Sequence, residues 1–177
     1  MGDAHSVRVS RLSDAHALDA LLRASYSRLL AGHYDRDLLA MALPYMTRAN
    51  ATLLASGTYY VAECSGGKLV GCGGWSLSRP GSTEKIEGEG HVRHFATAPG
   101  YVGQGIGRSL IERCLEDASP RVHTLNCYAS RNAEPFYRAC GFRTIAPMEV
   151  PMGPTVKFPV VLMTCRLAER GGRSPEV

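Results

Sequence analysis

One join in the sequence constrains the fold more than any other: a strand pattern runs through alternating glycines directly into an amphipathic helix. The strand is predicted over His91–Ala98 and the helix over Ile106–Glu116, whose apolar residues recur at helical spacing. Gly103, Gly105 and Gly107 stand where the two elements meet. Glycine allows a tight turn whose N–H groups point to one spot, and a helix N-terminus adds unpaired donors and a positive dipole end. The segment therefore predicts a binding site for a phosphate or pyrophosphate group.

Two familiar phosphate-binding loops do not fit this segment. A P-loop ends in Gly-Lys followed by Ser or Thr, whereas this chain has Gly107-Arg108-Ser109. A dinucleotide fingerprint places an acidic residue about 20 positions further on, at the end of a strand. The next predicted strand, Val122–Tyr128, contains no acidic residue in that role. The glycine segment thus predicts an anion site of a different kind.

A second helix is predicted downstream, from Asn132 to Cys140. Asn132 is a favourable N-cap residue, and Gly141 is suited to end the helix in the left-handed conformation. Phe136 is expected to pack inward. Tyr137 lies about 100° further around the helix, because an α-helix has about 3.6 residues per turn. Its hydroxyl is therefore expected at the edge of the packed face, looking into a groove.

The predicted elements follow the order β-α-α-β-β-β-α-β-α-β-β, with Ser13 as the cap of the first helix. This order predicts an α/β protein with a mixed sheet and helices on both faces, not a strictly alternating doubly wound fold. Glycines inside one strand, at 71, 73 and 74, predict a bulge or a close backbone neighbour. The predicted strands lie near Val7–Val9, Tyr59–Cys64, Leu69–Leu77, His91–Ala98, Val122–Tyr128, Phe142–Val150 and Phe158–Leu167.

Composition narrows the class of protein further. The chain has 177 residues, of which 45% are hydrophobic and 20% charged, as is typical of one soluble globular domain. No apolar run approaches the roughly 18 residues that a membrane span needs, and no apolar leader opens the sequence. We therefore expect a cytoplasmic protein without a membrane partner. We expect a single domain over residues 1–167 and a polar tail over residues 168–177.

Charge and cysteine content argue against several kinds of site. The net charge is +4 without a basic stripe, so a nucleic-acid partner is not expected. The six cysteines are scattered and form no CxxC pair, which predicts reduced, buried thiols and not a disulfide framework. Neither histidines nor cysteines have the spacing of metal ligands, so no metal site is expected.

Taken together, the two motifs resemble those of the GNAT superfamily of N-acetyltransferases, which take an acyl group from coenzyme A. The superfamily's pyrophosphate loop reads Arg/Gln-x-x-Gly-x-Gly/Ala, and Val102 to Gly107 occupy its six places. The stretch from Asn132 to Phe142 is similar to its second motif. The resemblance implies a central mixed, mostly antiparallel sheet of six or seven strands with helices on both faces. Val102 departs from the usual arginine or glutamine, and we expect binding to survive because backbone amides do most of it.

The resemblance also implies how this chain holds its acyl donor, acetyl-CoA. Backbone groups near Phe95 pair with the pantetheine arm like an added strand, and amides from Gly103 to Ser109 cradle the pyrophosphate. Tyr137 faces the departing sulfur, and a hydrogen bond from its hydroxyl stabilises the thiolate. The implied coenzyme-binding residues are Phe95, Ala96, Thr97, Val102, Gly103, Gln104, Gly105, Ile106, Gly107, Arg108, Ser109, Asn132, Phe136 and Tyr137.

The general base is left open among three residues near the start of the motif strand, or a chain of waters. His91 is the first choice, Glu89 the second and His94 the third. Strict alternation along the strand places His91 and His94 on opposite faces, and a bulge would reverse part of that assignment.

The function expected from the resemblance is direct transfer of an acetyl group from acetyl-CoA to an amine, within a ternary complex. The alternative is an acyl-CoA-binding sensor or regulatory module that has no turnover. The acceptor is a small amine or a protein amino group, and Tyr26, His33, Tyr34 and Tyr45 are candidate contacts for it. Homodimers are common in the superfamily, although no interface is visible in this sequence.

Overall fold

A mixed β-sheet forms the centre of the molecule. The structure is a computed structural model that describes residues 4–167, so the predicted tail over residues 168–177 lies outside the described residues. Within residues 4–167 the chain forms seven strands and five α-helices. The strands are β1 (His5–Val9), β2 (Tyr59–Cys64), β3 (Leu69–Ser76), β4 (Glu89–Thr97), β5 (Thr124–Ala129), β6 (Arg143–Met152) and β7 (Val156–Arg166). The helices are α1 (Ala15–Leu29), α2 (Arg36–Met46), α3 (Ala51–Leu54), α4 (Ile106–Ala118) and α5 (Glu134–Ala139).

The strands are arranged in the order β1-β2-β3-β4-β5-β7-β6, and every neighbouring pair is antiparallel except β4 and β5. The parallel pair is short. It joins Glu89 to Thr124, Gly90 to Leu125 and His91 to Asn126. Beyond these positions the two strands are no longer paired, so the middle of the sheet opens towards the carboxyl ends of β4 and β5.

Helices cover both faces of the sheet, and β2 shows why. Tyr60 and Ala62 belong to the core that contains the apolar stripe of α4, whereas Tyr59 and Val61 belong to the core beneath α1. This alternation is the period of two that a strand buried on both faces requires. A third core joins α2 to β7 and includes Phe158. None of the helices within residues 4–167 is both long and apolar enough to cross a membrane.

The predicted order of strands and long helices is confirmed, and most predicted bounds are close to those observed. The short helix α3 is absent from the prediction because its four residues carry little periodicity. The cap predicted at Ser13 is wrong: α1 begins at Ala15 with Asp14 at its N-cap position. The Asp14 carboxylate instead accepts hydrogen bonds from the Arg8 guanidinium and the Arg11 N–H.

The cap predicted at Asn132 is also wrong. Helix α5 begins at Glu134 after a short 3-10 turn, and no side chain caps it. The Asn132 amide is used elsewhere, because its Nδ2 donates a hydrogen bond of 3.2 Å to the carbonyl of Leu29 in α1. The predicted left-handed end of the helix is confirmed at Gly141, where φ is +95°.

The glycines of β3 are required by close neighbours on both faces of the sheet. An added Cβ at Gly73 would overlap the ring of Phe95, and one at Gly71 would lie 2.5 Å from Cγ2 of Ile106. At Gly74 the added Cβ would lie 2.5 Å from the carbonyl oxygen of Thr58. This last neighbour is backbone that also accepts a hydrogen bond from the Trp75 N–H, so it has no freedom to move aside.

We expect Gly74→Ala to destabilise the protein by about 2 kcal/mol, because an inserted methyl group in a filled site strains its surroundings. The matched control is Gly100→Ala, since a Cβ at Gly100 meets nothing within 4 Å. Urea unfolding followed by circular dichroism measures both free energies. Equal stability of the two variants would show that the contact at Gly74 relaxes freely.

Candidate active site

A β-bulge in β4 lies at the centre of the site. Between the pairs Cys72–Ala96 and Gly74–Arg93, β3 advances two residues while β4 advances three. The extra residue falls near His94, whose φ of +43° is unusual for a residue other than glycine. The bulge breaks strict alternation, because Val92 packs in the core beneath α4 and Ala96 in the core beneath α1.

Two tyrosines hold the bulge through its carbonyl groups. The Tyr59 hydroxyl donates a hydrogen bond of 2.9 Å to the carbonyl of His94, and the Tyr26 hydroxyl donates one of 2.9 Å to the carbonyl of Phe95. Burial raises the pKa of both tyrosines above the usual 10, so both remain protonated donors at neutral pH. The thiol of Cys72 lies 3.5 Å from the same His94 oxygen. The backbone of β4 is thereby fixed away from β5.

The glycine segment forms the exposed loop that the sequence predicts. Gly103 and Gly105 both have φ of +82°, and Gly105 stands at the N-cap position of α4. A Cβ added at either glycine would meet nothing within 4 Å, so the loop surface is open. Gly107 is different, since its Cβ would lie 3.2 Å from the ring of Phe136 in α5.

A cleft of about 440 Å³ extends from this loop into the gap between β4 and β5. Of the coenzyme-binding residues expected from the sequence, twelve line it: Phe95, Ala96, Thr97, Val102, Gly103, Gly105, Ile106, Gly107, Arg108, Asn132, Phe136 and Tyr137. Gln104 and Ser109 do not line the cleft. The Gln104 amide donates to the carbonyl of Gly100, and the Ser109 hydroxyl lies 3.0 Å from Nε2 of His5. We refer to this space as the loop cleft.

A second, smaller pocket of about 170 Å³ lies on the other side of the bulge. Its lining includes Arg93 and His94 of β4, Cys127 of β5 and residues of α2, β6 and β7. It shares a wall with the loop cleft, formed by Tyr26, Leu30, Phe95, Ser130, Ala133 and Tyr137. We refer to it as the inner pocket. The two spaces therefore meet at one place, beside Tyr137.

Tyr137 is more deeply buried than the sequence predicts, at 5% exposure, whereas Ala139 on the same helix is exposed. Its ring packs edge-on against Phe95, Phe136 and Phe142, with centroid distances of 6.1, 5.0 and 5.5 Å. Burial raises its pKa well above 10, and the neighbouring Cys127 thiol adds to the shift. The phenol is thus a neutral hydrogen-bond donor between the two spaces.

The structure separates the three candidate bases. His94 lines the inner pocket, and its Nδ1 is buried without a hydrogen-bond partner. His91 lines neither space; its side chain is 1% exposed and stacks on Tyr128 at 6.3 Å. Glu89 also lines neither space and accepts a hydrogen bond of 3.1 Å from the Asn126 amide. Burial lowers the pKa of both histidines to about 4, so both imidazoles are neutral at pH 7.

Of the four candidate acceptor contacts, two line the inner pocket and two do not. Tyr26 and Tyr45 line the inner pocket. Tyr34 is occupied by structural contacts, since its hydroxyl donates to the Pro159 carbonyl and its ring stacks on Phe158 at 4.5 Å. His33 is exposed and lines neither space.

Sequence reasoning missed Arg93. This residue lines the inner pocket, and its Nε is buried without a hydrogen-bond partner. The signal was available, because a charged residue in the middle of a central strand is rarely buried without a partner.

Comparison with known proteins points to one family. The family model described as an acetyltransferase (GNAT) domain matches residues 55–144, just over half of the 177 residues. The curated N-alpha-acetyltransferase RimI of Mycobacterium tuberculosis is 36% identical over 97 residues, which cover 54% of this chain and 59% of that protein. The chain thus matches about three fifths of the length of this relative.

Solved structures show the same fold. An N-acetyltransferase from Rhodopseudomonas palustris superposes with a TM-score of 0.69 at 23% identity, covering 94% of this chain and 96% of that one. The PaiA N-acetyltransferase of Thermoplasma acidophilum, solved in complex with coenzyme A, has a TM-score of 0.68 at 14% identity, with 92% and 99% covered.

The burial of His91 predicts a loss of stability in mild acid. Its pKa is about 4 in the folded chain and about 6.5 when unfolded, so between these values only the unfolded chain binds the proton. The free energy of unfolding should therefore be constant above about pH 6.5 and fall as the pH approaches 4. In His91→Leu we expect this fall to be smaller by about 2 kcal/mol.

Urea unfolding at a series of pH values measures the effect. His33→Leu serves as the control, because His33 is exposed. If His91→Leu and the unmodified protein lose stability in parallel from pH 6.5 to 4, His91 is not the titrating group.

Proposed function

The chain belongs to the GNAT family of acetyltransferases, and on that premise we propose that it is an acetyl-CoA-dependent N-acetyltransferase that transfers the group directly to an amine. One observation carries the proposal. The loop cleft and the inner pocket meet at a single wall that includes Phe95 and Tyr137, so a donor in one space can reach an acceptor in the other.

The loop cleft suits coenzyme A on chemical grounds. The open amides around Gly103 and Gly105 can receive a pyrophosphate at the N-terminus of α4. The Oδ1 of Asn132 is buried without a partner in the wall of the same cleft, and the amides of a pantetheine arm are suitable donors to it. The gap between β4 and β5 is the place for that arm, where backbone groups of β4 can pair with it.

The reaction is an exchange of one bond for another. The acceptor nitrogen, as a neutral amine, bonds to the thioester carbon, the carbon–sulfur bond breaks with its electron pair on sulfur, and the nitrogen gives up one proton. Tyr137 stabilises the departing thiolate by a hydrogen bond. It need not lose its proton, because an alkyl thiol with a pKa near ~8.5 is a stronger acid than a phenol near ~10.

Among the candidate bases we assign the first proton acceptor to His94. It lines the inner pocket, and its neutral Nδ1 has no competing partner. A pKa of about 4 makes it a weak base, so water in the pocket carries the proton onward to solvent. His91 and Glu89 receive no catalytic role in this proposal, because they line neither space.

Direct transfer is favoured over an acetylated cysteine. Cys127 is the cysteine that lines the inner pocket, and burial raises the pKa of its thiol to about 12. A thiol at this pKa is almost entirely protonated at pH 7 and is a poor nucleophile.

The proposal is tested by measuring release of free thiol from acetyl-CoA with a panel of amines. We expect thiol release that depends on the amine, and we expect Tyr137→Phe to lower kcat by about 100-fold while coenzyme binding is retained. Tyr60→Phe is the control, since Tyr60 is a buried tyrosine outside both spaces. Tight coenzyme binding without thiol release from any amine would favour an acyl-CoA sensor instead.

A separate prediction concerns the glycine loop. Coenzyme A at about 100 times its Kd should stabilise the folded chain by about 2.7 kcal/mol, which raises Tm by several degrees. Gly105→Val should abolish this rise, because a β-branched residue is strongly disfavoured at a φ of +82° and disrupts the loop.

The control for backbone strain is Gly66→Val in the β2–β3 turn, where φ is +85° and a Cβ meets nothing within 4 Å. Both variants should lose intrinsic stability, but Gly66→Val should keep the full response to coenzyme A. An undiminished response in Gly105→Val would contradict the assignment of the loop.

A further inference from the structure

The acceptor side of the site carries positive charge and no negative charge. The inner pocket adjoins an outer pocket of about 370 Å³, and both are lined by Arg93 and His94. The outer pocket is also lined by Arg48, two residues after the end of α2. Neither lining contains an Asp or a Glu among the described residues. An acceptor with several ammonium groups would find no counter-charge there, whereas an acceptor with an anionic group would find two guanidinium groups.

Arg93 is a half-buried cation without an acidic partner. Its Nη1 donates a hydrogen bond of 2.9 Å to the Ser76 hydroxyl, and its Nε is buried with no partner. Within residues 4–167 it forms no ion pair. Leaving a charge and a donor unsatisfied in a protein is costly, and a carboxylate is the group that satisfies both through paired hydrogen bonds.

The position of Arg93 limits where that carboxylate can be. Arg93 is two residues from Phe95, which lies in the wall between the donor and acceptor spaces. Arg93, Phe95 and Tyr137 all line the inner pocket of about 170 Å³, so an anionic group at Arg93 and an amine at the shared wall would occupy the same small space.

The inner pocket is small, at about 170 Å³, which favours a small acceptor. The ring of Tyr45 in α2 lies so close to Gly153, in the β6–β7 turn, that a Cβ there would overlap it. Gly153 has a φ of +67°, and both residues line the outer pocket. Together they form a contact between α2 and the β6–β7 turn in the wall of the outer pocket.

We infer that the acceptor is a small amino carboxylate, of the size of a free amino acid, whose carboxylate is bound by Arg93 while its amine faces the donor at the shared wall. This inference rests on the proposed function and names the substrate class of the same site. Arg48 adds long-range attraction at the entrance, and Arg93 provides the specific contact.

The test compares free L-amino acids with their carboxamides, which replace the carboxylate by a neutral group and keep the side chain. Amidation also lowers the pKa of the amine, so rates are compared per fraction of neutral amine. Thiol release from acetyl-CoA should show kcat/KM at least tenfold higher for the best free amino acid than for its amide. Arg93→Gln should reduce this ratio to about one through a higher KM for the acid, with the amide little affected. Arg93→Lys should retain part of the preference, because it keeps the charge but loses the paired geometry.

Two controls keep the result interpretable. Arg36→Gln removes an exposed arginine outside all three spaces and should leave the ratio unchanged. The rise in Tm with coenzyme A shows whether Arg93→Gln is folded with an intact donor site.

Binding is measured as well as turnover, so that the two proposals fail separately. Calorimetry of the coenzyme A complex with each amino acid and its amide should show the same preference for the acid. Preferential binding without thiol release would overturn the proposed function and support the substrate class. Thiol release that is as fast with amides or diamines, or faster with an acidic tripeptide than with any free amino acid, would overturn the substrate class and leave the proposed function standing.

Discussion

The extra residue in β4 is the constraint on which the rest of the site depends. Tyr59 and Tyr26 bind the carbonyls of two consecutive residues at the bulge, and these hydrogen bonds hold β4 in a course that β5 cannot follow. Separating two strands in the centre of a sheet normally destabilises a protein, because buried backbone groups lose their hydrogen-bond partners. Here the separation creates the cleft. The bulge therefore accounts for both the gap in the sheet and the wall between the two spaces.

Unsatisfied polar atoms gather around this gap. Among the described residues, the buried side-chain nitrogen and oxygen atoms without a partner belong to His91, Arg93, His94 and Asn132. Three of these residues are in β4, and Asn132 lies across the cleft from it. Native proteins satisfy nearly all such atoms, so their concentration here indicates where packing has been compromised for binding. His91 differs from the others because it lines neither the loop cleft nor the inner pocket. Its two unpartnered ring nitrogens therefore reduce stability without contributing to either space.

Local signals were sufficient for the element order and the glycine loop. The loop can be predicted because Gly103 and Gly105 adopt a left-handed φ, a conformation for which glycine is the usual residue. The bulge cannot be predicted from local sequence, because the tyrosines that bind its carbonyl groups are 35 and 69 residues away along the chain. The sequence placed His91 and His94 on opposite faces of β4 but did not locate the bulge, so it did not show that His94 is the candidate base that lines the inner pocket. The Asn132 cap failed for a similar reason, because the bond from its Nδ2 to a distant carbonyl in α1 orients the amide and leaves Oδ1 without a partner.

The contact between Tyr45 and Gly153 has a consequence for how this kind of protein diversifies. The family model matches residues 55–144, which include the glycine loop, the bulge and Tyr137 but neither end of that contact. Most of the lining of the loop cleft thus lies within that stretch, with Ser25, Tyr26, Leu29 and Leu30 added from before it, while Tyr45 and Gly153 lie on either side of it. Substitutions at Tyr45 or Gly153 would therefore reshape the outer pocket without touching the lining of the loop cleft.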